Sequence, residues 1–105
     1  MDSLQLKIKH RLQKFIEKDE DGVRSNILCV FLNKNKLTID DLYSIITTKY
    51  NISRNSVASM VGYIQSKLGI IQSYKKDYKS PTVYYLKDKY AFIIKMVLKQ
   101  KFTVS

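Results

Sequence analysis

The spacing of apolar residues changes once along this chain, at Gly69, and that change restricts the possible folds more than any other feature. Before it, apolar residues recur every three or four positions, the period of a helix with one buried face. Leu4, Ile8, Leu12, Phe15 and Ile16 predict a helix over residues 3–18, with Lys7, Lys9, Arg11 and Lys14 between them. Val23, Ile27, Leu28, Phe31 and Leu32 predict a second, ending near the polar NKNK at 33–36. Thr38 stands three residues before Asp41, a capping box with Asp in place of Glu, and opens a third along Ile39, Leu42, Ile45 and Ile46. Ser53 is a suitable N-cap for a fourth, over 53–68, which carries Val57, Met60, Val61, Ile64 and Leu68 and stops at Gly69. After Gly69, IIQSY and TVYYL are rich in β-branched and aromatic residues, and the KKDYKSP between them has turn chemistry. These read as a hairpin, followed by a closing helix over 88–102.

Three short helices followed by a hairpin, the last helix opening on Ser, is the order of a winged helix-turn-helix. The expected fold is therefore mainly α with a β-hairpin: a winged helix-turn-helix with extra N- and C-terminal helices. At 105 residues the chain suits one domain with one core. Tyr90, Phe92, Ile93, Ile94, Met96, Val97 and Leu98 cover more of the last helix than a single core can bury. That helix should pack on two sides, with the first helix as its second partner, within the protomer or across a two-fold axis. A homodimer is the expectation.

The local sequence around Ser53, Val57 and Leu68-Gly69-Ile70 resembles the winged-helix pattern of a capped recognition helix ending ahead of the first wing strand. GVRSNIL and LTIDDLYSIITTKYNISRNSVASMVGYIQSKLGII are similar to the N-terminal halves of metal-responsive repressors of the ferric-uptake type. Beyond Ile71 that likeness stops. Residues 72–105 hold neither His nor Cys, so the resemblance carries no expectation of metal sensing. The full length, including SRNSVASMVGYI and KSPTVYYLKDKY, resembles a small family of archaeal winged-helix proteins, mainly from methanogens. That resemblance implies a fold and no activity.

Charge points to the kind of partner. The chain carries 19 Lys and Arg against 9 Asp and Glu, a net charge of +10. Up to Ser53, nine basic residues face seven acidic ones; from Arg54 onward, ten basic residues face only Asp77 and Asp88. Such a field attracts nucleic acid or an anionic surface. Sixteen lysines against three arginines also fit a low-GC genome, which raises Lys everywhere but does not remove acids from one half of a chain.

The fourth helix is unusual in what it lacks. Opposite its apolar stripe lie Asn55, Ser59, Gly62 and Ser66, where a solvent-facing helix usually carries Lys and Glu. Short side chains let a backbone approach another surface, as a recognition helix does in the major groove. Asn55, Ser56 and Ser59 are the candidate base readers, since Asn can pair with adenine and Ser with any base edge. Ser53 and Arg54 at the helix start, with Lys67, are candidate phosphate contacts, and Tyr63 flanks the face. Tyr74, Lys75, Lys76, Tyr78 and Lys79 form a basic, aromatic wing over 74–82 suited to backbone or minor groove. The leading expectation is double-stranded DNA binding with modest sequence selectivity and a role in transcription regulation. The alternative is a protein-interaction module whose small-sided helix packs on a partner or on the terminal helices. RNA, stacked on the wing tyrosines, is a third reading.

Other chemistry is thinly represented. Cys29 lies among apolar neighbours, His10 lies among lysines, and none of the usual nucleotide, hydrolase or metalloprotease motifs occurs. The acidic run from Glu17 to Gly22 resembles the start of a calcium loop, but position twelve is Leu28 where a bidentate Glu is needed. It better serves as negative charge at the start of the second helix. No enzyme activity, cofactor or metal is expected. The longest apolar run, Tyr90 to Leu98, is broken by Lys95 and far shorter than the ~20 residues of a membrane span. The single cysteine, which can form no internal disulfide, fits a reducing interior, and a cytoplasmic location is the expectation.

Overall fold

A computed structural model describes residues 1–103. The element order is α1 (Ser3–Glu17), α2 (Val23–Asn33), α3 (Ile39–Ile46), α4 (Arg54–Tyr63), β1 (Ile71–Tyr74), β2 (Val83–Leu86) and α5 (Ala91–Thr103). A π-helical turn over Ile64–Leu68 extends α4, and a 3-10 turn over Asp88–Tyr90 leads into α5. The fold is mainly helical with one antiparallel hairpin, as the apolar spacing predicts.

The first four helices start where local chemistry satisfies free N–H groups. In α1, Asp2 Oδ1 accepts from Gln5 N at 2.8 Å while Gln5 Oε1 accepts from Asp2 N at 3.1 Å. In α3, Thr38 and Asp41 form the expected reciprocal box, with both bonds at 3.0 Å. Ser53 caps α4, its Oγ accepting from Ser56 N at 3.1 Å. The start of α2 differs, because its N-cap is Gly22 at φ 91°, which has no side chain to offer. Asp19 caps the helix instead, its carboxylate accepting from the backbone N–H of Gly22, Arg24 and Ser25. The acidic run thus supplies the charge at the α2 N-terminus that its position suggests.

The predicted fourth helix over 53–68 is α-helical only to Tyr63. Beyond it the last turn widens, and Gly69 N donates to Ile64 O, five residues back, at 2.9 Å. Gly69 then ends the element at φ 70°, the left-handed stop its residue type suggests. Apolar spacing cannot separate an i→i+4 turn from an i→i+5 turn over five residues, because both keep Ile64 and Leu68 inward.

The hairpin pairs Ile71 with Leu86 and Tyr74 with Val83. Leu37, just ahead of α3, bridges Tyr84 through two backbone bonds of 2.9 and 2.7 Å, adding a short third edge to the sheet. One core joins all five helices to β1, and the apolar stripes of the sequence supply it. Tyr90 of the 3-10 turn and Ile93, Ile94, Val97 and Leu98 of α5 are buried, while Phe92 is 60% exposed. The α5 helix packs along α1, and Gln13 Nε2 donates to Gln100 Oε1 at 3.4 Å between them.

Candidate nucleic-acid interface

The two faces of α4 separate cleanly. Val57, Val61, Ile64 and Leu68 are at most 1% exposed, whereas Asn55, Ser56, Ser59, Gly62 and Ser66 are all exposed. The small-sided face therefore lies outward and is not covered by the described residues of the terminal helices. A Cβ added at Gly62 would meet nothing within 4 Å.

Around this face the polar groups differ in how far they are already engaged. Ser53 and Ser56 are tied to one another, with Ser53 Oγ donating to Ser56 Oγ at 2.9 Å. Arg54 Nε donates to Asp40 Oδ1 of α3 at 2.7 Å in an exposed ion pair. Such a pair contributes about 0–1 kcal/mol and yields readily to a competing anion. Ser66 Oγ donates back to Gly62 O at 2.8 Å. Lys67 is exposed on the π turn, so its direction departs from the one a continuous α-helical wheel assigns.

Tyr63 looks elsewhere. Its ring stacks on Phe15 of α1 with centroids 5.6 Å apart and planes 13° from parallel. Beside this pair opens a cleft of about 360 Å³, to which α1 contributes Arg11 and Lys14, its C-cap contributes Lys18, and α2 contributes Arg24. The sequence reading missed this cluster, although Arg11, Lys14 and Lys18 follow one another at helical spacing and that signal was there to be read.

The wing is held by hydrogen bonds within its own loop. Asp77 Oδ1 accepts from Lys79 N and Ser80 N, both at 2.9 Å, and from Ser80 Oγ at 3.1 Å. The Lys79 N–H first, then the Ser80 hydroxyl and N–H, hold its carboxyl below the usual carboxylate range. This turn leaves Lys75, Lys76 and Lys79 exposed, with Tyr78 at 85% exposure. Tyr74 is instead half-buried, its ring 5.9 Å from that of Tyr85 and 5.4 Å from Lys36 Nζ. Gln65 Nε2 donates to Ser73 Oγ at 2.7 Å and ties the π turn to β1.

Among the described residues, no group of three His, Cys, Asp or Glu is disposed to hold a metal ion, and no helix is long and apolar enough to cross a membrane. Burial raises the Cys29 thiol above its ordinary value, which suits a core residue rather than a nucleophile.

A helical pair α3–α4, a hairpin beyond it and the Leu37 bridge to that hairpin define a winged helix-turn-helix protein. The fold is similar to that of a MarR mutant from E. coli solved in complex with operator DNA, with a TM-score of 0.60 and 14% identity. That match covers 91% of this chain and 66% of the MarR chain. The chain belongs to the family described as protein of unknown function DUF2551, which it matches over residues 12–94. An uncharacterized protein from Archaeoglobus fulgidus is 33% identical over 94 residues, covering 89% of this chain and 94% of its own length.

Proposed function

We propose that this protein binds double-stranded DNA and acts in transcription regulation, with α4 in the major groove and the 74–82 wing on the adjacent backbone. The observation that carries this reading is the outward, small-sided face of α4 opposite a stripe in which Val57, Val61, Ile64 and Leu68 are buried and Met60 partly so. A helix that exposes Ser, Asn and Gly where charge would be solvated is suited to close approach by a large surface. Asn55, Ser56 and Ser59 then meet base edges, while Arg54, Lys67, Lys75, Lys76 and Lys79 neutralise phosphates and Ser53 hydrogen-bonds one at the helix start. Tyr78 supplies an exposed ring beside the backbone, and Tyr74 supports the wing from within the sheet. The likeness to a protein solved with operator DNA supports the same reading.

Selectivity from one Asn and a few Ser residues is small, and two copies related by a two-fold axis would combine two such readings. Exposed Phe92 on α5, with Leu4 and Leu6 on α1 also exposed, favours a second copy on the terminal helices.

Fluorescence anisotropy with random-sequence duplex at two salt concentrations tests the proposal. With about six phosphate contacts, affinity should fall by roughly three orders of magnitude over a fourfold rise in salt. Replacing Lys75, Lys76 and Lys79 together by Ala should reduce the log–log salt slope by between about 2 and 3. A wild-type protein indifferent to duplex at low salt would remove the reading and leave a protein-interaction module in its place.

A further inference from the structure

The cleft between α1 and α4 gathers positive charge that neither the core nor the wing uses. Arg11, Lys14 and Lys18 fall within about 60° of one another on the α1 wheel and extend about 10 Å along its axis. All three are exposed, and Arg24 joins them from the first turn of α2. Arg24 is fixed in place: its Nη1 donates to Phe15 O at 3.0 Å, and its Cζ lies 4.7 Å above the Phe15 ring. No Asp or Glu lines the cleft, and none of the four cations has an ion-pair partner among the described residues. Four like charges around about 360 Å³ repel one another, and only an anion relieves that repulsion.

We infer that this cleft is a phosphate site, and that in the DNA complex proposed above it takes backbone phosphates flanking the groove that α4 enters. The inference rests on that reading and adds α1 as a further DNA-holding element. Continuity favours duplex as the source, because Ser59, at the centre of the exposed α4 face, also lines the cleft. Charge favours it too: four cations exceed what one small carboxylate requires, whereas duplex presents a negative charge every ~1.7 Å of axis. The stacked Phe15–Tyr63 pair sets the α1–α4 spacing, so the cations hold their distance from the recognition face without rearrangement on binding.

The test compares R11Q/K14Q/K18Q with K9Q/K95Q/K99Q, which removes the same charge from the opposite face of α1 and from α5. Circular dichroism should show both folded, since the cleft residues replaced are exposed. The cleft variant should lower the salt slope for random duplex by between about 2 and 3, and the control by less than about 1. Duplex binding whose salt slope is unchanged in the cleft variant overturns the inference and leaves the proposed function standing. If wild-type protein fails to bind duplex, the proposed function falls, and a titration with millimolar inorganic phosphate decides the cleft separately. Shifts of the Tyr63 and Ser59 resonances in wild type, absent from the cleft variant, would then support an oxyanion site whose source is free phosphate. Resonances that do not move would overturn it.

Discussion

Asp19 lies in the acidic stretch between α1 and α2, and its carboxylate is fully covered. Besides three backbone N–H groups, it accepts from Ser25 Oγ at 2.7 Å and from Lys101 Nζ of α5 at 2.8 Å. Burial opposes its ionisation, but Lys101, Ser25 and the backbone bonds outweigh that and hold the carboxyl at about 2, below the usual 3.8. A folded value below the unfolded one means the associated stability is present above pH ~4 and is lost as pH falls towards ~2. The shift corresponds to on the order of 2 kcal/mol. Urea unfolding followed from pH 5 to pH 2 should show that loss, and Asp19→Asn should be less stable at neutral pH with a flatter profile across the window. An Asn variant with the wild-type pH profile would show that other carboxylates govern acid unfolding. Gly22, next to this network, was legible as a helix boundary but not as a close approach. At φ 91°, a Cβ there would meet Tyr50 Oη at 2.9 Å, a contact between residues 28 positions apart.

At the scale of the element, α4 carries the test that separates DNA docking from simple helix exposure. Gly62 has ordinary helical backbone and open space around it, so Gly62→Ala should raise stability by about 0.5–1 kcal/mol through helix propensity. Gly62→Glu should leave the melting temperature within a few degrees of wild type while lowering duplex affinity at least about tenfold, because it sets a charge against the phosphates. Anisotropy and thermal melts of both variants check this, and undiminished binding by the Glu variant would place the duplex elsewhere. The caps of this element were readable one residue at a time, since Ser53 and Gly69 each act through local backbone chemistry. Its π turn was not. Tyr63 was likewise legible as a flanking aromatic, but its stacking on Phe15 depends on how α1 crosses α4, which spacing within either helix does not encode.

At the scale of the molecule, α1 and α5 lie together and leave apolar side chains uncovered. Phe92 is 60%, Leu4 54% and Leu6 46% exposed, and Phe92 and Met96 line a shallow cleft on α5. If a second copy covers them, light scattering at micromolar concentration should report about twice the 12.3 kDa protomer mass. Phe92→Glu should return the mass to one protomer without unfolding it, and a wild-type particle of one protomer mass would remove the dimer. The helices, their caps and the hairpin were legible along the chain because periodicity, capping and turn chemistry act over three or four residues. The order of those elements then left few arrangements able to bury every stripe, which made the fold class readable as well. Packing alone brought Asp19 to Lys101, Phe15 to Tyr63 and four cations to one cleft. Each of those meetings depends on helix crossing geometry, a sum over many weak apolar contacts that no single stretch of sequence carries.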